Sequence, residues 1–155
     1  MHDEKLSFSA EQNLASTSAS STAVSTNVLN LGTLTDKRGS TIQNQIGRSR
    51  RAVVRVQVEN TALKAAGAGT LDIKLFTKAS ASSMTSGTEI ARAAQITTAN
   101  NSTTNPAGTV LADIPIPDRG MLQYLALGYA VGGNNISAGK VTAWIDMNHE
   151  SGSGE

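Results

Sequence analysis

Apolar residues in this chain recur with a period of two, and the helical spacing i, i+3, i+4, i+7 is not sustained anywhere. In 52–59, Ala52, Val54, Val56 and Val58 fall on one face while Val53, Arg55, Gln57 and Glu59 fall on the other. That is the pattern of a half-buried strand. The segment 70–79 repeats it, with Leu71, Ile73, Leu75 and Thr77 inward and Asp72, Lys74, Phe76 and Lys78 outward. In a third case Val141, Ala143, Ile145 and Met147 alternate with Lys140, Thr142, Trp144 and Asp146. Weaker alternation marks 24–31, 88–93, 108–116 and 122–131, so the pattern predicts seven or eight strands.

The joints carry turn chemistry: Ala66-Gly-Ala-Gly69, Met84-Thr-Ser-Gly87, 100–108 with Pro106, 115–120, and Gly132-Gly-Asn-Asn135. Short strands at this spacing, without βα alternation, predict an all-β fold, a single jelly-roll-like β-sandwich. Pro115 and Pro117 cannot both donate to a central ladder, so the chain there should leave the sheet or lie on an edge.

The sandwich domain is assigned to 22–148 with a long basic loop, 33–51, inside it, and 1–21 and 149–155 lie outside it. Residues 1–21 carry only scattered apolar anchors, chiefly Leu6, Phe8 and Leu14, ahead of a Ser/Thr/Ala run. They read as an extended N-terminal arm, able to span roughly 65 Å and reach a neighbour. Residues 33–51 read as a long surface loop, and 149–155, rich in Ser and Gly, as a flexible C-terminal tail.

Composition narrows the chemistry. The 155 residues include no Cys and only two His, His2 and His149, both near the chain ends. That removes thiolate zinc sites, cysteine nucleophiles and most histidine-dependent catalysis. Charged residues make up 16% of the chain, against 17 Ser and 17 Thr, and the net charge is +1. This balance supplies no global attraction to nucleic acid or to an anionic membrane. No signal-peptide pattern opens the chain and no apolar run is long enough to span a bilayer. No Gly-x-Ser-x-Gly occurs, and no carboxylates form a recognisable acid-base pair. Asp113 and Asp118 flank the prolines of one turn and read as turn and capping acceptors. The chain therefore reads as a non-enzyme without metal or cofactor.

The sharpest charge feature is Lys37, Arg38, Arg48, Arg50, Arg51 and Arg55, with no Asp or Glu between the first and the last. Guanidinium forks grip carboxylate-rich protein surfaces or phosphates. The alternative is a solvated loop whose charges pair with Glu59, Asp72 or a neighbouring subunit. Nearby aromatic stacking partners are missing, which counts against direct nucleic-acid contact. A carbohydrate-binding face built from Trp144, Tyr124, Tyr129 and Phe76 is a competing reading.

Four segments together resemble the small capsid cement, or decoration, proteins of tailed double-stranded DNA bacteriophages: Phe8-Ser-Ala-Glu-Gln12, Ser25-Thr-Asn-Val-Leu-Asn-Leu-Gly32, Tyr124-Leu-Ala-Leu-Gly-Tyr129 and Ala138-Gly-Lys-Val-Thr-Ala143. Their order and spacing follow that family across most of the chain. Asn30 stands where Asp is usual, Gln123 where an Arg often precedes the Tyr, and 33–51 is longer than usual. The resemblance implies a sandwich on the outer surface of the virion capsid. Its partners would be the major capsid protein and itself, as a homodimer in preference to a homotrimer. In that reading Leu6, Phe8, Gln12 and Leu14 anchor the arm on a neighbour, while Arg48, Arg50 and Arg51 meet acidic shell surface. A tail or fibre β-domain is the structural alternative.

Overall fold

The computed structural model describes residues 6–15, 17–33, 38–39, 52–117 and 119–147. Among these lie twelve strands: β1 (Ser7–Asn13), β2 (Thr22–Val24), β3 (Leu29–Asn30), β4 (Ala52–Val58), β5 (Lys64–Ala65), β6 (Gly69–Lys78), β7 (Thr88–Arg92), β8 (Ile96–Thr98), β9 (Val110–Pro115), β10 (Tyr124–Gly132), β11 (Ile136–Ala138) and β12 (Lys140–Met147). One sheet has the order β1-β12-β4-β9. A second runs β2-β10-β6-β7, with β3 also on β10 and β8 also on β6, and β11 pairs with β5 in a two-stranded sheet. Setting the short β3, β5, β8 and β11 aside leaves eight principal strands in chain order. The first, eighth, third and sixth form one sheet; the second, seventh, fourth and fifth form the other, all antiparallel. This interleaving is the jelly roll, and the expected fold class holds.

Alternation decides which face each strand buries. Ala52, Val54, Val56 and Val58 from β4, and Val141, Ala143 and Ile145 from β12, meet Leu71, Ile73 and Leu75 from β6 and Leu125, Leu127, Tyr129 and Val131 from β10 in one core. The expected prolines behave as their missing N–H requires: β9 is a sheet edge and ends at Pro115.

Four expectations need correction. The arm assigned to 1–21 is, over Ser7–Asn13, the edge strand β1 paired with β12. Phe8 and Leu14 are completely buried there, because scattered apolar residues in a terminal segment fill a sheet edge as readily as they anchor on a neighbour. The strand expected over 24–31 is two short strands, both paired with β10 and separated by 25–28, where Asn27 N–H bonds instead to the Phe8 carbonyl of β1. Phe76 does lie on the outer face of β6, yet it is 8% exposed, packed with Met84 and Ala126 in a second small cluster. A 3₁₀ turn, Met84–Ser86, supplies part of that cover, and a local alternation pattern cannot register it. The four aromatics share no face: Tyr129 points into the core from β10, and Trp144 lies on the other sheet.

Gly128 on β10 shows how tight the second cluster is, since a Cβ there would overlap the Phe76 ring. Gly139, at φ +134°, enters β12 with its Cα against Leu63, where a side chain would collide with that residue's backbone.

Candidate functional site

The residues expected to reach outward from the N-terminus instead close one corner of the sandwich. Tyr129, on the inner face of β10, is fully buried, and its hydroxyl donates to Ser9 Oγ at 3.0 Å. Ser9, also fully buried, donates onward to Gln12 Oε1 at 2.6 Å. The same Gln12 oxygen accepts the Thr26 backbone N–H at 3.0 Å, and Gln12 Nε2 donates to the Val24 carbonyl at 2.8 Å. Alongside, Asn27 N–H donates to the Phe8 carbonyl, and Ser25 Oγ accepts from Leu127 N–H while donating to the Asn27 carbonyl. One glutamine side chain thus bridges the edge of one sheet to the corner strand of the other, and every polar atom in the chain of bonds is satisfied. Burial pushes the Tyr129 phenol well above its ordinary value, with the Ser9 hydrogen bond opposing the shift to a lesser extent. The phenol is therefore a permanent neutral donor at physiological pH and serves the fold.

These bonds settle where the expected contact residues lie. Phe8 and Leu14 are core, Leu6 packs against the core, and Gln12 is the corner bridge. As anchors on a neighbouring molecule, Phe8, Leu14 and Gln12 are corrected: their side chains are spent inside their own domain. Arg48, Arg50 and Arg51 lie outside the described residues, as does the tail 149–155. Their segment leaves the 3₁₀ turn Leu31–Thr33 and returns at Ala52, which pairs with Met147 at the end of β12. Leu31 N–H bonds the Gln123 carbonyl at that same end, where Arg119 is exposed, and Arg38 is exposed within the segment. The described residues that bound this segment, Leu31 and Ala52, thus lie with Gln123 and the last residue of β12 at one end of the sandwich.

Arg55 departs from the unopposed basic set. Its Nε donates to Asp113 Oδ1 at 2.8 Å, Nη2 to Asp113 Oδ2 at 3.1 Å, and Nη1 lies 2.8 Å from Asp146 Oδ2. Asp113 is therefore an ion-pair partner on β9 and no turn acceptor, while Asp118 lies outside the described residues. The Asp113 hydrogen bond raises the guanidinium pKa, with burial opposing it. Cross-strand register produces this triad: Asp113, Arg55 and Trp144 sit side by side on β9, β4 and β12, with Asp146 one outward position further along. Periodicity placed Arg55, Trp144 and Asp146 outward, but register between strands distant in sequence is not readable from alternation.

On the outer face of the other sheet, Arg92 Nη2 donates to Glu89 Oε2 at 2.9 Å, with Lys74 3.8 Å away. The Arg92 hydrogen bond, followed by the Arg92 and Lys74 charges, holds the Glu89 carboxyl below its ordinary value against a contribution from burial. Among the described residues no group of three or more His, Cys, Asp and Glu could hold a metal ion.

A family model described as Bbp16 matches residues 8–145. The chain belongs to the Bbp16 family. The family is phage-related, and the match extends from Phe8 in β1 to Ile145 in β12, which is the whole jelly roll. No curated protein matches the chain. The segments that carry the cement-protein resemblance all fall inside the Bbp16 match. Structurally, Phe8, Ser9, Gln12, Ser25, Thr26, Asn27 and Tyr129 are the corner just described, while Gly139 and Lys140 open β12, with Lys140 Nζ 3.6 Å from Glu11.

Proposed function

We propose that this Bbp16-family protein is a capsid cement, or decoration, protein that binds the outer surface of a phage shell and staples neighbouring major capsid protein subunits. The observation that carries the reading is the convergence of the four resembling segments, from β1, the β2–β3 corner, β10 and β12, on one hydrogen-bonded corner of a jelly roll in a phage-related family. What resembles the cement proteins is thus the set of residues that locks the fold.

With β1 inside the sandwich, shell contact passes to the end from which the basic segment emerges. The sequence of that segment supplies Arg48, Arg50 and Arg51, whose guanidinium forks suit carboxylates on the shell. A protein that binds assembled shell better than separated subunits stabilises assembly by that difference in affinity. Modest contacts suffice, because a dimer with two heads docked gains roughly 10²- to 10⁴-fold in avidity. The test is co-sedimentation with undecorated shells of the cognate phage. Saturation at a fixed ratio is the expected result, with a marked loss on changing Arg48, Arg50 and Arg51 to Glu. A wild-type protein that stays in the supernatant overturns the reading.

A further inference from the structure

The two faces of the jelly roll that look away from the core are unequally covered. On the β2-β10-β6-β7 sheet, the Met84–Ser86 turn packs Met84 onto Phe76 and Ala126. On the β1-β12-β4-β9 sheet, the described residues leave the face open. Val110 is 46% exposed, the Asp113 side chain 43%, and Trp144 is half-buried in the middle of the sheet beside Arg55, with Val53 one outward position along β4. Trp144 is the sole tryptophan of the chain. Tryptophan and arginine with small apolar neighbours form the composition of interface hot spots.

Charge says what kind of partner fits. On this face the described cations are Arg55 and Lys140 and the carboxylates are Glu11, Glu59, Asp113 and Asp146, two against four, so the face keeps two net negative charges. Arg55 turns all three of its guanidinium nitrogens inward on Asp113 and Asp146. A carboxylate has about four acceptor sites, so these two retain acceptors that Arg55 does not fill. Arg55 commits three of its five N–H donors to these two carboxylates, so an incoming carboxylate meets few free donors and a net negative face, whereas an incoming cation meets surplus acceptors on a scaffold of four paired strands.

We infer that the outer face of the β1-β12-β4-β9 sheet is a docking surface for a protein segment presenting an arginine or lysine between apolar side chains. The cation sits against Asp113 and Asp146, and the apolar flanks cover Trp144, Val53 and Val110. This inference neither requires shell binding nor follows from it.

The test uses the full chain and an acetylated hexapeptide alternating arginine and valine, read by Trp144 emission and by the indole N–H resonance. A saturable change with Kd near ~1 mM or tighter is expected. Replacing each peptide arginine with neutral citrulline should weaken binding at least tenfold, and so should D113N/D146N. Because that double variant strips Arg55 of its partners, Gln57→Lys is the second variant. It sets a cation on the same face, two residues along β4, without touching the triad, and should also weaken binding at least tenfold with an unchanged melting temperature. No saturable change at Trp144, equal binding of the citrulline peptide, or wild-type affinity in Gln57→Lys would each overturn the inference.

Discussion

Phe8→Ala separates a structural strand from a projecting arm. Phe8 is fully buried, in contact with the common core, and its strand is an edge held to β12 through an irregular register with shifts on both sides of Ser9. Removing a buried phenylalanine ring costs the lost transfer energy plus the cavity it leaves, about 3–5 kcal/mol. A domain of this size holds roughly 5–15 kcal/mol in total, so one substitution removes a large share of it. At roughly 2–4 °C per kcal/mol, the melting temperature should fall by on the order of 10 °C. Urea unfolding, followed by Trp144 fluorescence and far-ultraviolet circular dichroism, measures this directly: the midpoint should drop with the slope unchanged. Ala10→Ser, two residues along and exposed, should stay within about 0.5 kcal/mol of wild type. If Phe8→Ala unfolds at the wild-type midpoint, Ser7–Asn13 is no part of the folded core and the account of the corner fails.

Three further predictions probe the same corner and its neighbour. Gln12→Ala leaves the Val24 carbonyl and the Thr26 N–H without their partner and should cost about 1–3 kcal/mol by urea unfolding. Because the folded Tyr129 phenol is held above its ordinary value near 10, its contribution is fully present below pH 10. It should be lost as pH rises further, by about 1.4 kcal/mol per pH unit, and Tyr129→Phe should remove that part of the alkaline slope in melts between roughly pH 9.5 and 11.5. Gly128→Ala drives a methyl into the Phe76 ring and should destabilise by about 1–3 kcal/mol, with the loss reduced in a Gly128→Ala/Phe76→Leu double variant measured in a mutant cycle.

The sandwich was legible in the sequence because β4, β6 and β12 alternate almost without exception, and burial of one face is what alternation encodes. The order of strands was less so. Nothing in Phe8-Ser-Ala-Glu-Gln12 alone tells whether its apolar residues fill the core of their own domain or a groove on another, since both remove the same surface from water. Glu11 at φ +49° and the register shifts in β1 also blur the period that would have marked it as a strand. Arg55 looked unopposed because its carboxylates lie 58 and 91 positions away in sequence and reach it only through sheet register. Phe76 looked exposed because its cover arrives from a 3₁₀ turn and from β10. In each case the missing information was long-range pairing, which local pattern does not carry.

The proposed role, holding a phage shell together, has a direct readout in the heat resistance of the shell. Undecorated cognate shells should be titrated with purified protein and then heated while DNA release is followed with an intercalating dye. The release temperature should climb with added protein and level off when binding saturates. A release temperature that stays flat while protein accumulates on the shells would contradict that role.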